Sequence, residues 1–67
     1  MTTTLSNREC QVLVELAMNG GSNEELGRRL GCAPATVRTH VQNILSKTGV
    51  HSKTDLVVAF WVALTRS

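Results

Sequence analysis

The chain has 67 residues, which corresponds to one small domain, and its 42% apolar content is sufficient for a folded core. Seven Lys and Arg residues against five Asp and Glu residues give a net charge of +2, which permits a nucleic-acid partner but does not indicate one. The N-terminus lacks the basic start and apolar segment of a signal peptide, and no apolar run approaches the roughly 20 residues that span a bilayer, so the composition predicts a cytoplasmic protein without a membrane partner.

Two cysteines, Cys10 and Cys32, lack the paired spacing of a metal site. Each occupies an apolar position, so both are predicted to be small buried hydrophobic residues in a reduced protein, although a disulfide between them remains an open alternative. A nucleophile and base formed by Cys32 and His40 would have no third orienting group, which argues against an enzyme. The sequence therefore predicts no catalysis, cofactor, metal or small-molecule substrate.

The first helix is predicted over residues 6–19, after a leader at residues 1–4 that shows no periodicity and is expected to be disordered. Ser6 and Glu9 match a capping box, in which each side chain bonds to the backbone N–H of the other residue. An apolar stripe at spacing i, i+3, i+4 and i+7 is predicted to face the core: Cys10, Leu13, Val14 and Ala17. The helix is expected to end at Gly20.

A short second helix is predicted over residues 23–30, where Ser22 and Glu25 match a second capping box. Gly27 lies in the middle of this helix and costs about 1 kcal/mol relative to alanine. Close approach of the next helix would explain why a glycine is used at this position.

The third helix is predicted over residues 34–48, with Pro34 at its first position and Gly49 just past its end. At about 100° per residue, one side of this helix is apolar: Val37, Val41, Ile44 and Leu45. The opposite side is polar and short: Ala35, Thr39, Gln42, Asn43 and Ser46, with Arg38 at its margin. No acidic residue occurs from position 31 to 53. An acid-free polar face suits a polyanionic partner, although a solvent-exposed helix is the alternative.

Two helices joined by three residues, the first of them short, form the helix-turn-helix arrangement. In a DNA-binding domain of this kind the second helix would enter the major groove, where Arg38 could bind guanine, Gln42 or Asn43 could bind adenine, and the Thr39 methyl could contact thymine. Many helical hairpins bind no DNA, so this reading competes with a plain helical hairpin.

Positive charge near a helix C-terminus is favourable without any ligand, and four cations lie at such places: Arg28, Arg29, Lys47 and Lys53. Arg29 is interpreted as structural, whereas Arg28 is left open between the same role and a phosphate contact. His40 flanks the core side of the third helix and is interpreted as a packed histidine.

The fourth helix is predicted over residues 53–65, after a third capping box formed by Ser52 and Asp55. One side is apolar: Leu56, Val57, Phe60, Ala63 and Leu64. A second stripe has the spacing i, i+3, i+4 and i+7: Val58, Trp61, Val62 and Thr65. A domain of this size cannot cover both sides, so the second stripe is predicted to be a partner surface. The alternative is that Trp61 folds back onto the small core.

Three motifs, LSNRECQVL at 5–13, GSNEELGRRLG at 21–31 and PATVRTHVQNILSKTG at 34–49, resemble in this order the LuxR/FixJ/GerE-type helix-turn-helix domain. The resemblance extends without a gap from Leu5 to about Ala63. Where many members have Ser or Thr as the cap of the third helix, this chain has Ala33, and where many have basic residues it has Gln42 and Ser46. These departures weaken the first turn of that helix and favour adenine readout by Gln42.

The resemblance implies an all-α, four-helix domain that is usually the C-terminal effector half of a bacterial transcription regulator, including two-component response regulators. It also implies which residues contact DNA. The base-reading residues would be Arg38, Thr39 and Gln42. The phosphate-contacting residues would be Ser22, Asn23, Thr36 and Lys47. The homodimer surface on the fourth helix would be Val58, Trp61, Val62 and Thr65.

The sequence thus predicts sequence-specific binding of double-stranded DNA for transcription regulation. The third helix would lie in the major groove, and a homodimer, weak without DNA, would form through the fourth helix. The alternative is a protein-interaction module that docks a partner through the apolar fourth helix and does not contact DNA.

Overall fold

The computed structural model describes residues 5–66, which form four α-helices. They are α1 (Asn7–Asn19), α2 (Asn23–Leu30), α3 (Pro34–Thr48) and α4 (Lys53–Arg66). The predicted all-α, four-helix class is confirmed, and each predicted helix end lies within one residue of the observed one. The leader predicted at residues 1–4 lies outside the described residues. None of the four helices is both long enough and apolar enough to cross a membrane.

The starts of α1 and α2 carry complete capping boxes, as predicted. Ser6 Oγ accepts from the Glu9 N–H at 3.1 Å, and Glu9 Oε1 accepts from the Ser6 N–H at 2.9 Å. Ser22 and Glu25 repeat this arrangement at 3.2 and 3.0 Å. Each box satisfies two backbone donors that the first helical turn leaves without partners. The sequence therefore fixes where these two helices begin.

The starts of α3 and α4 are weaker. At α4, Ser52 Oγ accepts from the Asp55 N–H at 3.1 Å, but within residues 5–66 the Asp55 carboxylate makes no return bond. The third predicted capping box is therefore only half formed, because aspartate is one methylene shorter than the glutamate that closes such a box. At α3, Ala33 provides no side-chain cap, and Pro34 supplies a first residue that needs none.

The core is one cluster of buried apolar side chains to which every helix contributes. Its members are Val12, Leu16, Leu26, Val37, Val41, Ile44 and Leu56. The α3 members confirm the apolar side predicted for that helix, and Leu45 packs against them. Because α3 packs against both α1 and α2, its opposite side is left facing solvent.

The core stripe predicted for α1 is partly wrong: Leu13 packs against the core as predicted, but the buried side of the helix is rotated by one residue. The helix buries Val12 and Leu16 together with Glu9, whereas Cys10 is exposed and Val14 is 46% exposed. The physical reason is that the carboxylate of Glu9 has partners that allow it to be buried, so a stripe that begins with an acid faces the core. The prediction that Cys10 is buried is therefore also wrong, while Cys32 is half-buried against the core and both thiols are free.

The turn between α2 and α3 explains Gly27. The Cys32 N–H donates to the Gly27 carbonyl at 2.9 Å, and a Cβ atom added at Gly27 would lie 2.4 Å from the Cys32 carbonyl oxygen. The predicted close approach exists, but it comes from the turn rather than from α3. Gly31 ends α2 with φ of 71°, in the left-handed region that favours glycine. The two glycines therefore let the chain return closely against α2 before α3 begins.

Only the first half of α4 packs on the core. Leu56 is buried and Val57 packs beside it, whereas Leu64 is 52% exposed and Ala63 is also exposed. The expectation that the last two belong to a core side is therefore wrong. The exposed stripe predicted on the other side is present, since Trp61 is 41% exposed. Its ring lies edge-on to Phe60 at 5.5 Å between centroids and is not part of the core.

Candidate nucleic-acid interface

The outward side of α3 presents three side chains with different chemistry. Arg38 and Gln42 are exposed and have no hydrogen-bond partner within the described part of the chain. Their donor and acceptor groups are therefore available to an external partner. Thr39 differs, because its hydroxyl donates to the Ala35 carbonyl at 3.1 Å. With that proton committed, Thr39 offers a partner its methyl group and an oxygen lone pair.

The start of α2 presents polar donors. Ser22 Oγ accepts from the Glu25 N–H, and across residues 5–66 its own hydroxyl proton has no acceptor. Asn23 Oδ1 accepts from Lys53 Nζ at 3.3 Å, which leaves the amide NH₂ group without a protein acceptor in the same region. Such donors at a helix N-terminus favour an anion. This arrangement is compatible with the phosphate-contacting roles predicted for these two residues.

Thr36 lies in the first turn of α3, where the chain has no side-chain cap. Its backbone N–H bonds to the Ala33 carbonyl at 3.0 Å, whereas its exposed hydroxyl has no partner in the described segment. The hydroxyl is therefore able to donate to an external oxygen.

Glu25 lies next to these donors at the start of α2. The hydrogen bond from the Ser22 backbone N–H lowers the pKa of this carboxyl, and the charges of Arg29 and Arg28 add to the shift. Glu25 is thus ionised near neutral pH. The hydrogen bond that the Glu25 carboxylate accepts from the Ser22 N–H in the capping box partly offsets this negative charge.

Two of the arginines are used inside the fold. Arg29 donates to the Gly20 carbonyl at 3.0 Å and lies 3.7 Å from Glu15, in agreement with its structural interpretation. Arg8 donates to the Leu30 carbonyl at 2.9 Å and so links α1 to the end of α2. These two side chains therefore have structural roles, and no contact with a partner outside the domain is assigned to either of them.

Lys47 has an internal partner that the sequence did not reveal. Its ammonium lies 2.7 Å from Glu9 Oε1, and Glu9 is only 4% exposed. The hydrogen bond from Lys47 is the largest cause that lowers the pKa of Glu9, followed by the bond from the Ser6 N–H. The two residues are 38 positions apart, so no spacing rule relates them. The phosphate contact predicted for Lys47 stays a prediction, since its side chain is still 35% exposed.

The stripe predicted as a dimer surface on α4 is open to a partner. Val58 is 56% exposed and Val62 is 45% exposed, on either side of Trp61. Thr65 donates its hydroxyl to the carbonyls of Trp61 and Val62, at 3.0 and 3.1 Å, so it adds a methyl group to an apolar surface. Contiguous exposed apolar residues of this kind are typical of protein contacts.

A short helix, a tight turn and a second helix with an acid-free polar outer side form the helix-turn-helix arrangement, which is typical of DNA-binding domains. The sequence profile described as "Bacterial regulatory proteins, luxR family" matches residues 3–60, so the chain belongs to the luxR family of bacterial regulatory proteins. The family resemblance is thereby confirmed. Its members are DNA-binding regulators of transcription rather than enzymes.

Two curated relatives give the same result. The chain is 44% identical over 54 residues to the transcriptional regulatory protein DegU of Brevibacillus brevis, which covers 81% of this chain and 22% of that protein. It is 47% identical over 53 residues to the Fimbriae Z protein of Salmonella typhimurium (strain LT2), which covers 79% of this chain and 25% of that protein. The chain therefore spans about a quarter of the length of these relatives. No solved structure was found to match it significantly.

Proposed function

We propose that the domain binds duplex DNA sequence-specifically as a homodimer, with α3 in the major groove. The observation that carries this proposal is that Arg38 and Gln42, on the exposed side of α3, make no hydrogen bonds within the described residues. They lie on a segment without acidic residues. We further propose that it is the effector domain of a response regulator in a two-component system in the cytoplasm. The greater length of the two relatives is compatible with a signal-receiving part elsewhere in such a protein.

Base readout follows from the chemistry of three side chains. The Arg38 guanidinium matches the two acceptors of guanine, and the Gln42 amide matches the acceptor and donor of adenine. Thr39, whose hydroxyl proton is held by Ala35, is suited to the methyl group of thymine. Each well-placed contact of this kind discriminates against a wrong base by about 1–3 kcal/mol.

Phosphate contacts would set the position of α3 in the groove. The donors available for this role are the Ser22 and Thr36 hydroxyls and the Asn23 amide. Lys47 would add a charge, shared between Glu9 and a phosphate. Because three of these four groups are neutral, we expect a modest salt dependence for the phosphate contacts.

Dimerisation would pair the stripe of Val58, Trp61, Val62 and Thr65 with the same stripe of a second copy. Trp is enriched among residues that dominate interface energies, and here it lies between two exposed valines. A single helix stripe is a small contact, so we expect dimers to be weak in solution and completed on an operator with two half-sites. The same stripe is also the site at which a different protein would dock.

The test begins by selecting a preferred duplex from a randomised library and measuring affinity by fluorescence anisotropy at two salt concentrations. Arg38→Ala is expected to cost about 1–3 kcal/mol and to relax the preference at one base pair. Thr36→Val is the matched control on the same helix, and it should weaken all duplexes by a similar factor. Equal effects of both variants on every duplex would contradict the assignment, and absence of binding at low salt would favour the protein-docking alternative.

A further inference from the structure

A lysine at the start of α4 contacts the side chain at the start of α2. Lys53 is the first residue of α4 and Asn23 is the first residue of α2, and the Lys53 ammonium donates to Asn23 Oδ1 at 3.3 Å. Both residues are half-buried. The contact joins segments 30 positions apart in the chain, close to a proposed phosphate site. Lys53 therefore has a specific side-chain partner, in addition to its favourable position near the C-terminal end of the α3 dipole.

The direction of an asparagine amide is set by its partners. A free amide turns by half a revolution at little cost, which exchanges its acceptor oxygen and its donor nitrogen. The lysine ammonium has only donors, so Asn23 can present only its oxygen to Lys53. The NH₂ group then occupies the opposite edge of the amide, and within the described region it has no acceptor.

A phosphate oxygen accepts hydrogen bonds and never donates one at neutral pH. The amide orientation held by Lys53 is therefore the one that binds phosphate, while the turned orientation would place Asn23 Oδ1 against the phosphate oxygen. The cation also polarises the amide and strengthens its N–H groups as donors. Both effects act through Asn23 and need no direct contact between Lys53 and DNA.

We infer that Lys53 is a positioning residue for DNA backbone recognition, which holds the Asn23 amide so that its NH₂ group donates to a phosphate. The inference rests on the proposed DNA-binding function. It differs from a direct phosphate contact by Lys53 in one measurable respect, because the effect of Lys53 should vanish when Asn23 is replaced.

A double-mutant cycle on the selected duplex tests this dependence, using Lys53→Met, Asn23→Ala and the double variant. We expect each single variant to lose affinity about three- to tenfold, the effect of one hydrogen bond. The double variant should be no weaker than Asn23→Ala alone. Lys53→Arg, which also offers only donors, should restore most of the affinity. Equal losses from Lys53→Met in both backgrounds, with a salt slope lowered by about 0.9, would show a direct phosphate ligand and overturn the inference.

A measurement on the free protein separates this inference from the proposed function. In a ¹⁵N–¹H spectrum of the wild-type protein, the two Asn23 side-chain NH₂ resonances should have chemical shifts that differ from those of a freely turning amide. In Lys53→Met these chemical shifts should move toward the values of a freely turning amide, while backbone resonances of the core stay in place. Arg38→Ala serves as the control, since it should reduce DNA affinity without moving this pair. An Asn23 pair unaffected by Lys53→Met would refute the positioning role even if DNA binding is intact.

Discussion

Replacing Gly27 by alanine tests how the turn fixes the two helices of the DNA-binding motif. The added Cβ atom would lie 2.4 Å from the Cys32 carbonyl oxygen, and Cβ atoms are essentially never found closer than 3.0 Å to another heavy atom. The carbonyl must therefore retreat by at least about 0.6 Å. Since the obstacle is backbone and not a flexible side chain, the turn itself has to move.

Two effects of this substitution oppose each other. Alanine favours the helix over glycine by about 1 kcal/mol, whereas overpacking costs about 1–3 kcal/mol and falls at the upper end when backbone must shift. We expect a net loss of about 1–2 kcal/mol in the free energy of unfolding. For a domain of this size that loss lowers the melting temperature by roughly 5–15 °C.

Thermal unfolding followed by circular dichroism measures the effect. Arg28→Ala is the matched control in α2, because it is exposed and should leave the melting temperature nearly unchanged. Gly31→Ala isolates a different cause: the added Cβ meets no atom within 4 Å, so its expected loss of about 1–2 kcal/mol comes from the left-handed backbone alone. A Gly27→Ala variant more stable than the wild type, as helix propensity alone predicts, would refute the reasoning.

Three further predictions concern base readout, acid stability and assembly. Replacing the thymine opposite Thr39 by uracil, which lacks the methyl group, should weaken binding of the wild type and of Thr39→Val, whereas Thr39→Ser should bind both duplexes alike. The pKa of Glu9 is lowered in the folded state, so its stabilising effect is complete above the ordinary value of 4.5 and is lost as the pH falls through the lowered value. In urea unfolding, Lys47→Met should therefore be clearly less stable than the wild type at pH 7, and the difference should shrink toward pH 3; a constant difference would exclude this cause. Trp61→Ala should reduce self-association in sedimentation experiments with little change in melting temperature, and unchanged association would exclude the α4 stripe as the dimer surface.

Local signals made most of the fold predictable. The capping boxes at Ser6 and Ser22 satisfy donors within three residues, so they depend on nothing outside their own turn. The apolar side of α3 was predictable because its outer side carries no apolar residue larger than Ala35, which leaves one way to orient the helix. The same reasoning predicted that the side chains of Arg38 and Gln42 are exposed to solvent.

Contacts between distant residues were not predictable in this way. The orientation of α1 depends on Glu9, whose buried carboxylate accepts from the Ser6 N–H and from Lys47, which approaches it from the end of α3. Apolar periodicity treats a glutamate as a surface residue and so rotates the helix by one position. The contact between Lys53 and Asn23 is of the same kind, since a pair of polar side chains far apart in sequence leaves no periodic pattern.

The position of Trp61 has a spectroscopic consequence. The chain contains one tryptophan and no tyrosine, so its near-ultraviolet emission comes from one place on α4. Because Trp61 is 41% exposed, burial of its ring by a second copy of the domain should move the emission to shorter wavelength. Dilution separates the two copies and should reverse this change. An unlabelled sample thus carries its own optical reporter of what happens at the α4 surface.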